Sequence, residues 1–180
     1  MKKTSLLVII LVATCAIAMA QPRAIGGRIG YSLGVSYQHQ IGEKNLIQAD
    51  IDILKYGWCG TQGTVTFNWI VPLKSWEKAN WNLLAGVGVG CGYEWWGGSA
   101  REDWYRWNSW WSKSGGFIGV AGMIGLEWNF KFPLQLSVEY RPLIGTKLYR
   151  LDNLTNVGFY YHGLCTSAVA IGVRYKFGGK

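Results

Sequence analysis

The chain holds two histidines, His39 and His162, the side chains best suited to moving a proton near neutral pH. Hydrolytic or acyl-transfer chemistry needs such a base beside a nucleophile. Alternation of apolar and polar residues puts the two histidines near opposite ends of the fold, so one site can use at most one of them. Ser167 follows His162 at an odd separation, which sends the two side chains to opposite faces of one strand. No Ser-His-carboxylate grouping results, and an enzyme is not expected. The enzymatic alternative is a lipid-modifying or hydrolytic site at the rim, with His162 as its base.

Beyond residue 20 the cysteines are Cys59, Cys91 and Cys165, an odd number without C-x-x-C spacing. Neither a metal nor a cofactor is expected. A hairpin turning between Pro72 and Asn80 with Val71 opposite Trp81 would set Thr61 opposite Cys91. Cys59 would then lie diagonally near Cys91, so a stabilising Cys59–Cys91 disulfide is expected.

Between Trp95 and Trp111, seven aromatic residues (Trp95, Trp96, Trp104, Tyr105, Trp107, Trp110 and Trp111) are interleaved with Arg101, Glu102, Asp103 and Arg106. Amphipathic rings of this kind gather where a membrane meets water. Rigid aromatics beside arginine also make binding faces for glycans or proteins. Trp95 and Trp96 sit at a strand end and suit the first reading. For Trp104, Tyr105, Arg106, Trp107, Trp110 and Trp111 both readings stand, because several of these rings lie too far from a strand to be needed as anchors.

The elements that must carry these residues are strands. From Ile47 to Ile53 apolar residues fall on odd positions, with Gln48, Asp50 and Asp52 between them. Val65, Phe67, Trp69 and Val71 repeat the pattern. So do Trp81 to Trp95, whose other face is largely glycine, and Ile118 to Phe130. Leu134 to Tyr140 and Val169 to Phe177 complete six segments. The stretch from Ala24 to Ile41 supplies two more if it bends near Tyr31-Ser32, for a total of eight; as one uninterrupted strand it would make seven. The glycine face from Gly86 to Gly92 leaves room for long side chains on neighbouring strands.

A soluble sandwich would also alternate, with its apolar face turned inward. Here the apolar faces are too many and too aromatic for one small core, while the other faces hold charges of both signs. An antiparallel all-β transmembrane barrel with its apolar face outward satisfies every backbone group without an open edge in lipid. Gly42 to Lys44, Pro72 to Asn80 and Phe132-Pro133 then form turns at the periplasmic end. Gly97 to Ser114 and Thr146 to Tyr161 are expected as long outer loops.

Eight strands enclose a space just wide enough for side chains, which makes a packed interior and not a pore. A very narrow channel is the alternative. Inward charges must pair, and Arg28, Glu127, Glu139 and Arg174 are expected to meet in one network near the periplasmic end.

Met1 to Ala20 reads as a secretory leader: Lys2 and Lys3, an apolar run from Leu6 to Met19, and small Ala18 and Ala20 before Gln21. Thr14 before Cys15 does not suit a lipoprotein site. Residues 21–180 then form one domain. Losing Lys2 and Lys3 leaves 16 basic against 10 acidic side chains, a formal +6. The basic residues are scattered, which points to lipid headgroups or lipopolysaccharide phosphates and away from nucleic acid.

A leader, alternating segments and a last strand running through Val173, Tyr175 and Phe177 resemble the small outer-membrane barrels of the OmpA/OmpX type. Ala24, Ile25, Gly26 and Arg28 match the opening of the broad outer-membrane β-barrel domain family. The resemblance implies that Val173, Tyr175 and Phe177 serve as the address read by the outer-membrane assembly machinery. In that family the aromatic residue usually ends the chain, whereas here Gly178, Gly179 and Lys180 follow. The family has no single activity, so the resemblance implies location and fold and not a reaction; the residues themselves point to a structural or surface-interaction barrel whose outer loops contact a partner or glycan.

Overall fold

A computed structural model describes residues 23–30, 32–54, 59–75, 79–95, 114–151, 154–162 and 168–178. These residues form ten strand segments: β1 Arg23–Gly30, β2 Ser32–Ile41, β3 Asn45–Leu54, β4 Cys59–Ser75, β5 Ala79–Trp95, β6 Gly115–Phe130, β7 Leu134–Tyr140, β8 Leu143–Leu151, β9 Leu154–His162 and β10 Val169–Phe177. From β1 to β6 each segment pairs antiparallel with the next. β6 pairs with both β7 and β8 in one unbroken register, Ile124 opposite Tyr140 and Ala121 opposite Leu143. β7 and β8 are therefore one stave. They join at Pro142, which lacks an N–H but accepts from the Gly122 N–H at 2.9 Å.

β8 pairs with β9, β7 with β10, and β10 with β1, which closes the ring. Where β7 and β8 run from Tyr140 to Leu143, the facing stave runs from Val169 back to His162, so it carries four extra residues there. β9 and β10 together make up the eighth stave. The result is a closed antiparallel barrel of eight staves. β1 ends at Gly30 and β2 begins at Ser32, and the two pair antiparallel, which gives the eight-strand count over seven.

The hairpin β8–β9 corrects one expectation. Thr146 to Tyr161 is no long loop: most of it is paired strand, with 152–153 between the two segments. The two-faced pattern continues here, Leu148, Val157 and Phe159 outward against Lys147 and Tyr160 inward. It is hard to see in sequence because the inward side carries a lysine and a tyrosine.

Successive rungs are strongly staggered. Starting from Gly30 at the end of β1, the partners are Ala170, Glu139, Gly125, Leu84 and Ile70. The Ile70 N–H then reaches Lys44 O, in the turn at the opposite end. Strands in such a barrel tilt against its axis, which lets residues far apart in sequence converge in the middle.

The barrel is inverted relative to a water-soluble protein. Ile51 is 70% exposed and Val120 62%, while Glu139 is 0% and Arg174 1% exposed. Among the described residues, apolar packing inside forms two clusters. Leu46, Leu84 and Met123 form one, with Ile70 against it. Phe117, Ala121, Leu143 and Tyr160 form the other, where the Phe117 and Tyr160 rings stack at 4.3 Å. Gly90 and Gly92 make space for the second cluster: a Cβ at Gly90 would lie 2.3 Å from Leu143 Cδ1, and one at Gly92 2.5 Å from Phe117 Cζ.

Candidate functional site: a buried charge network

Inward positions of β1, β3, β7 and β10, with Arg141 just after β7, bring three arginines and three carboxylates together. Arg28 Nη1 donates to Asp52 Oδ2 at 2.8 Å and lies 4.0 Å from Asp50 Oδ1; its Nε is 3.9 Å from Glu139 Oε2. Arg141 donates from Nη2 to Glu139 Oε2 at 2.8 Å and from Nη1 to Asp50 Oδ2. Arg174 donates from Nη2 to Glu139 Oε1, from Nη1 to Ser137 Oγ at 2.8 Å and from Nε to Ser36 Oγ at 2.9 Å. Three positive and three negative groups balance. Balance matters here because a lone buried charge costs several kcal/mol (~3–5).

Among the expected residues, Arg28, Glu139 and Arg174 thus lie in one network. Glu127 does not touch them. It accepts from Asn82 Nδ2 at 3.3 Å and from the amides of Asn129 and Gln135, nearer the turn end of the barrel. The separation follows from register, since Glu127 faces Ser137 across β6–β7 while Glu139 faces Gly125. A file of glutamines joins the two groups: Gln135 to Gln38 at 2.6 Å, Gln38 to Gln48 at 2.9 Å and Gln48 to Glu139 at 3.0 Å.

A separate group lies toward the other end. Glu94, buried, accepts from Lys147 Nζ at 2.6 Å and from Tyr160 OH at 2.8 Å. Sequence reasoning missed it. The even position of Glu94 on β5 marks it as inward, but Lys147 fell in the stretch taken for a loop.

The Cys59–Cys91 disulfide is corrected. The strands run farther into the β4–β5 turn than expected, with Ser75 facing Asn80 and Val71 facing Leu83 in place of Trp81, so Gly63 faces Cys91 and Cys59 faces Trp95. Four residues along a strand separate the two by roughly 13 Å, beyond the Cα distance of about 7 Å that a disulfide spans. Cys91 is a free, exposed thiol. His39 lies on β2, where its Nδ1 is 3.4 Å from Tyr37 OH. His162 ends β9, opposite Leu143. Ser167 and the aromatic stretch Trp104, Tyr105, Arg106, Trp107, Trp110 and Trp111 lie outside the described residues, as do residues 1–20. Among the described residues no group of three or more His, Cys, Asp or Glu side chains is arranged to hold a metal ion.

Val173, Tyr175 and Phe177 line the outward face of β10. Trp81 and Trp128, in edge contact at 4.8 Å, and the stacked Phe130 and Phe132 lie near the same end of the barrel. At the other end Tyr93 stacks with Trp95, and Phe159 lies beside Tyr161. Aromatic rings thus mark both ends of the outer surface. No protein-family model, curated protein or solved structure matches the chain.

Proposed function

We propose that this chain is an integral barrel of a bacterial outer membrane, of the small OmpA/OmpX-like kind, acting as a structural or surface-interaction protein. The observation that carries this reading is the inversion: isoleucine and valine outside, arginine and carboxylate inside. In water such a surface would be costly to expose and prone to association. In hydrocarbon it is the stable arrangement, flanked by aromatic rings where lipid meets water.

On this reading the leader is removed after Ala20, and the termini and the three turns beside them face the periplasm. Val173, Tyr175 and Phe177 address the chain to the assembly machinery, and the basic surplus contacts lipopolysaccharide. The buried network fills the middle of the barrel, which weighs against the narrow channel. Specific recognition of a glycan or protein then falls to the outer loops, with Trp104 to Trp111 as the binding face.

Heat-modifiable migration tests the architecture. A closed membrane barrel purified in detergent migrates as a compact species until boiled, and recovery of the protein in soluble form without detergent would overturn the reading. Replacing Trp104, Trp107, Trp110 and Trp111 with alanine tests the binding face: unchanged adhesion to surface glycans or matrix proteins would remove it.

A further inference from the structure

A cup of about 460 Å³ opens at the end where the first and last strands and the turns meet. That volume lies within the range of small-ligand sites, roughly 300–1,000 Å³. Its lining is unusual in one respect: six primary amides, Gln38, Gln40, Asn80, Asn82, Asn129 and Gln135, face one space. Leu46 and Ile70 also line it, and they belong to the apolar cluster with Leu84 and Met123. Deeper still, the glutamine file leads into the charge network. The cup is therefore blind, a site to dock in and not an entrance.

The amide-rich inner part of the lining suits a neutral, polar guest. Glu127, its buried carboxylate, is already surrounded by the amides of Asn82, Asn129 and Gln135. Lys176 Nζ is committed to Phe130 O at 2.6 Å. Arg23, at the start of β1, and Glu43 and Lys44, in the β2–β3 turn, also line the cup and bring charges of both signs to its rim, while Glu127 and Lys176 are engaged with the protein. With their Nδ2 groups turned to Glu127, Asn82 and Asn129 keep their carbonyl oxygens as acceptors, while Asn80 and Gln40 at the mouth offer both a donor and an acceptor. An acetamido group presents the complementary N–H and C=O pair, and a sugar ring adds hydroxyls that can both give and accept. Its C–H face would rest on Leu46 and Ile70.

We infer that this cup binds a short neutral saccharide bearing acetamido groups, about a disaccharide in length, presented from the compartment that the turns face. The site is distinct from the aromatic loop, and its assignment stands independently of whether the outer surface meets lipid.

Titration calorimetry on the full chain purified in detergent, with N,N′-diacetylchitobiose as probe and maltose as a disaccharide lacking acetamido groups, tests the assignment. Saturable binding of the first is expected, with maltose at least tenfold weaker. Asn129→Leu and the rim variant Asn80→Leu should each weaken binding about tenfold, as loss of a neutral hydrogen bond does, and Thr155→Ala at the other end should leave it unchanged. Compact migration of each variant before boiling shows that the barrel is intact. The absence of saturable heat at millimolar sugar, equal affinity for maltose, or intact Asn80→Leu protein that binds like the parent would overturn it. Each result is separable from failure of the membrane reading, which the migration assay reports.

Discussion

Arg174 Nε, on the last strand, donates to Ser36 Oγ, on the second, at 2.9 Å, although the first strand runs between them. Both residues are rung partners of the same residue on that strand, Gly26. A Cβ there would stand 2.6 Å from Arg174 Cα and 2.0 Å from Val173 O. The absent side chain therefore makes the crossing possible, and the barrel seam is tied by a side chain as well as by its backbone ladder.

Gly26→Val should consequently damage closure more than an ordinary strand substitution. Overpacking costs about 1–3 kcal/mol where the neighbours can shift, and the backbone of β10 has little room to do so. The expected outcome is a large loss of the compact, heat-modifiable species. Gly27→Val is the control, since the nearest neighbour of a Cβ at Gly27 is 3.8 Å away, and it should migrate like the parent.

The Arg28–Asp52 pair lends itself to a double-mutant cycle. Asp52→Asn or Arg28→Met alone breaks the balance of three against three and should cost about 3–5 kcal/mol, the penalty for leaving a buried partner alone. The double variant restores neutrality and should lose less than the sum of the two. Urea unfolding of protein reconstituted in lipid vesicles measures all three. Strict additivity would show that the two side chains do not share one balance.

Val120→Arg distinguishes a lipid-facing surface from a wetted one. On a soluble barrel an exposed valine away from special features tolerates arginine within about 0.5 kcal/mol. Facing the middle of a bilayer, the same change costs about 2–4 kcal/mol. Unfolding from vesicles should show the larger penalty, and a negligible one would argue against lipid at this face.

At the other end, Lys147→Met should loosen the β8–β9 hairpin by leaving Glu94 buried without its cation. Amide hydrogen exchange in β9 is expected to rise while that in β3 and β4 stays at parental levels. Adding Glu94→Gln should bring exchange part of the way back, because an amide tolerates burial there better than a lone carboxylate.

Much of the barrel is legible in the chain because a two-faced strand repeats every second residue, and β3, β4, β5 and β10 repeat it over long stretches. What escaped detection has a physical reason in each case. β8 and β9 looked like a loop because their inward face carries Lys147 and Tyr160, whose partners Glu94 and Phe117 come from strands distant in sequence. The expected Cys59–Cys91 pairing differs from the structure because the β4–β5 turn is tighter than the Pro72-to-Asn80 span suggests: Ser75 already faces Asn80, and Val71 faces Leu83. Glu127 reads as one more inward acid beside Glu139, but alternation gives a residue's face and not its height, and only the stagger between strands separates the two. The file from Gln135 through Gln38 to Gln48 was likewise invisible, since it depends on three registers at once.

Gly26 also bears on how the two ends of the chain find one another. A sheet can close on itself in several alignments that keep its faces correct, because a slip of two residues preserves which side points inward. Such a slip would set Arg174 opposite Ala24, whose methyl group fills the crossing, or opposite Arg28, a like charge with nowhere to go. Of these three alignments only the native one offers an empty slot flanked by a hydroxyl acceptor. A missing side chain near the start of the chain and an arginine near its end thus act as lock and key for the seam, rejecting near-miss closures that the backbone ladder by itself would accept.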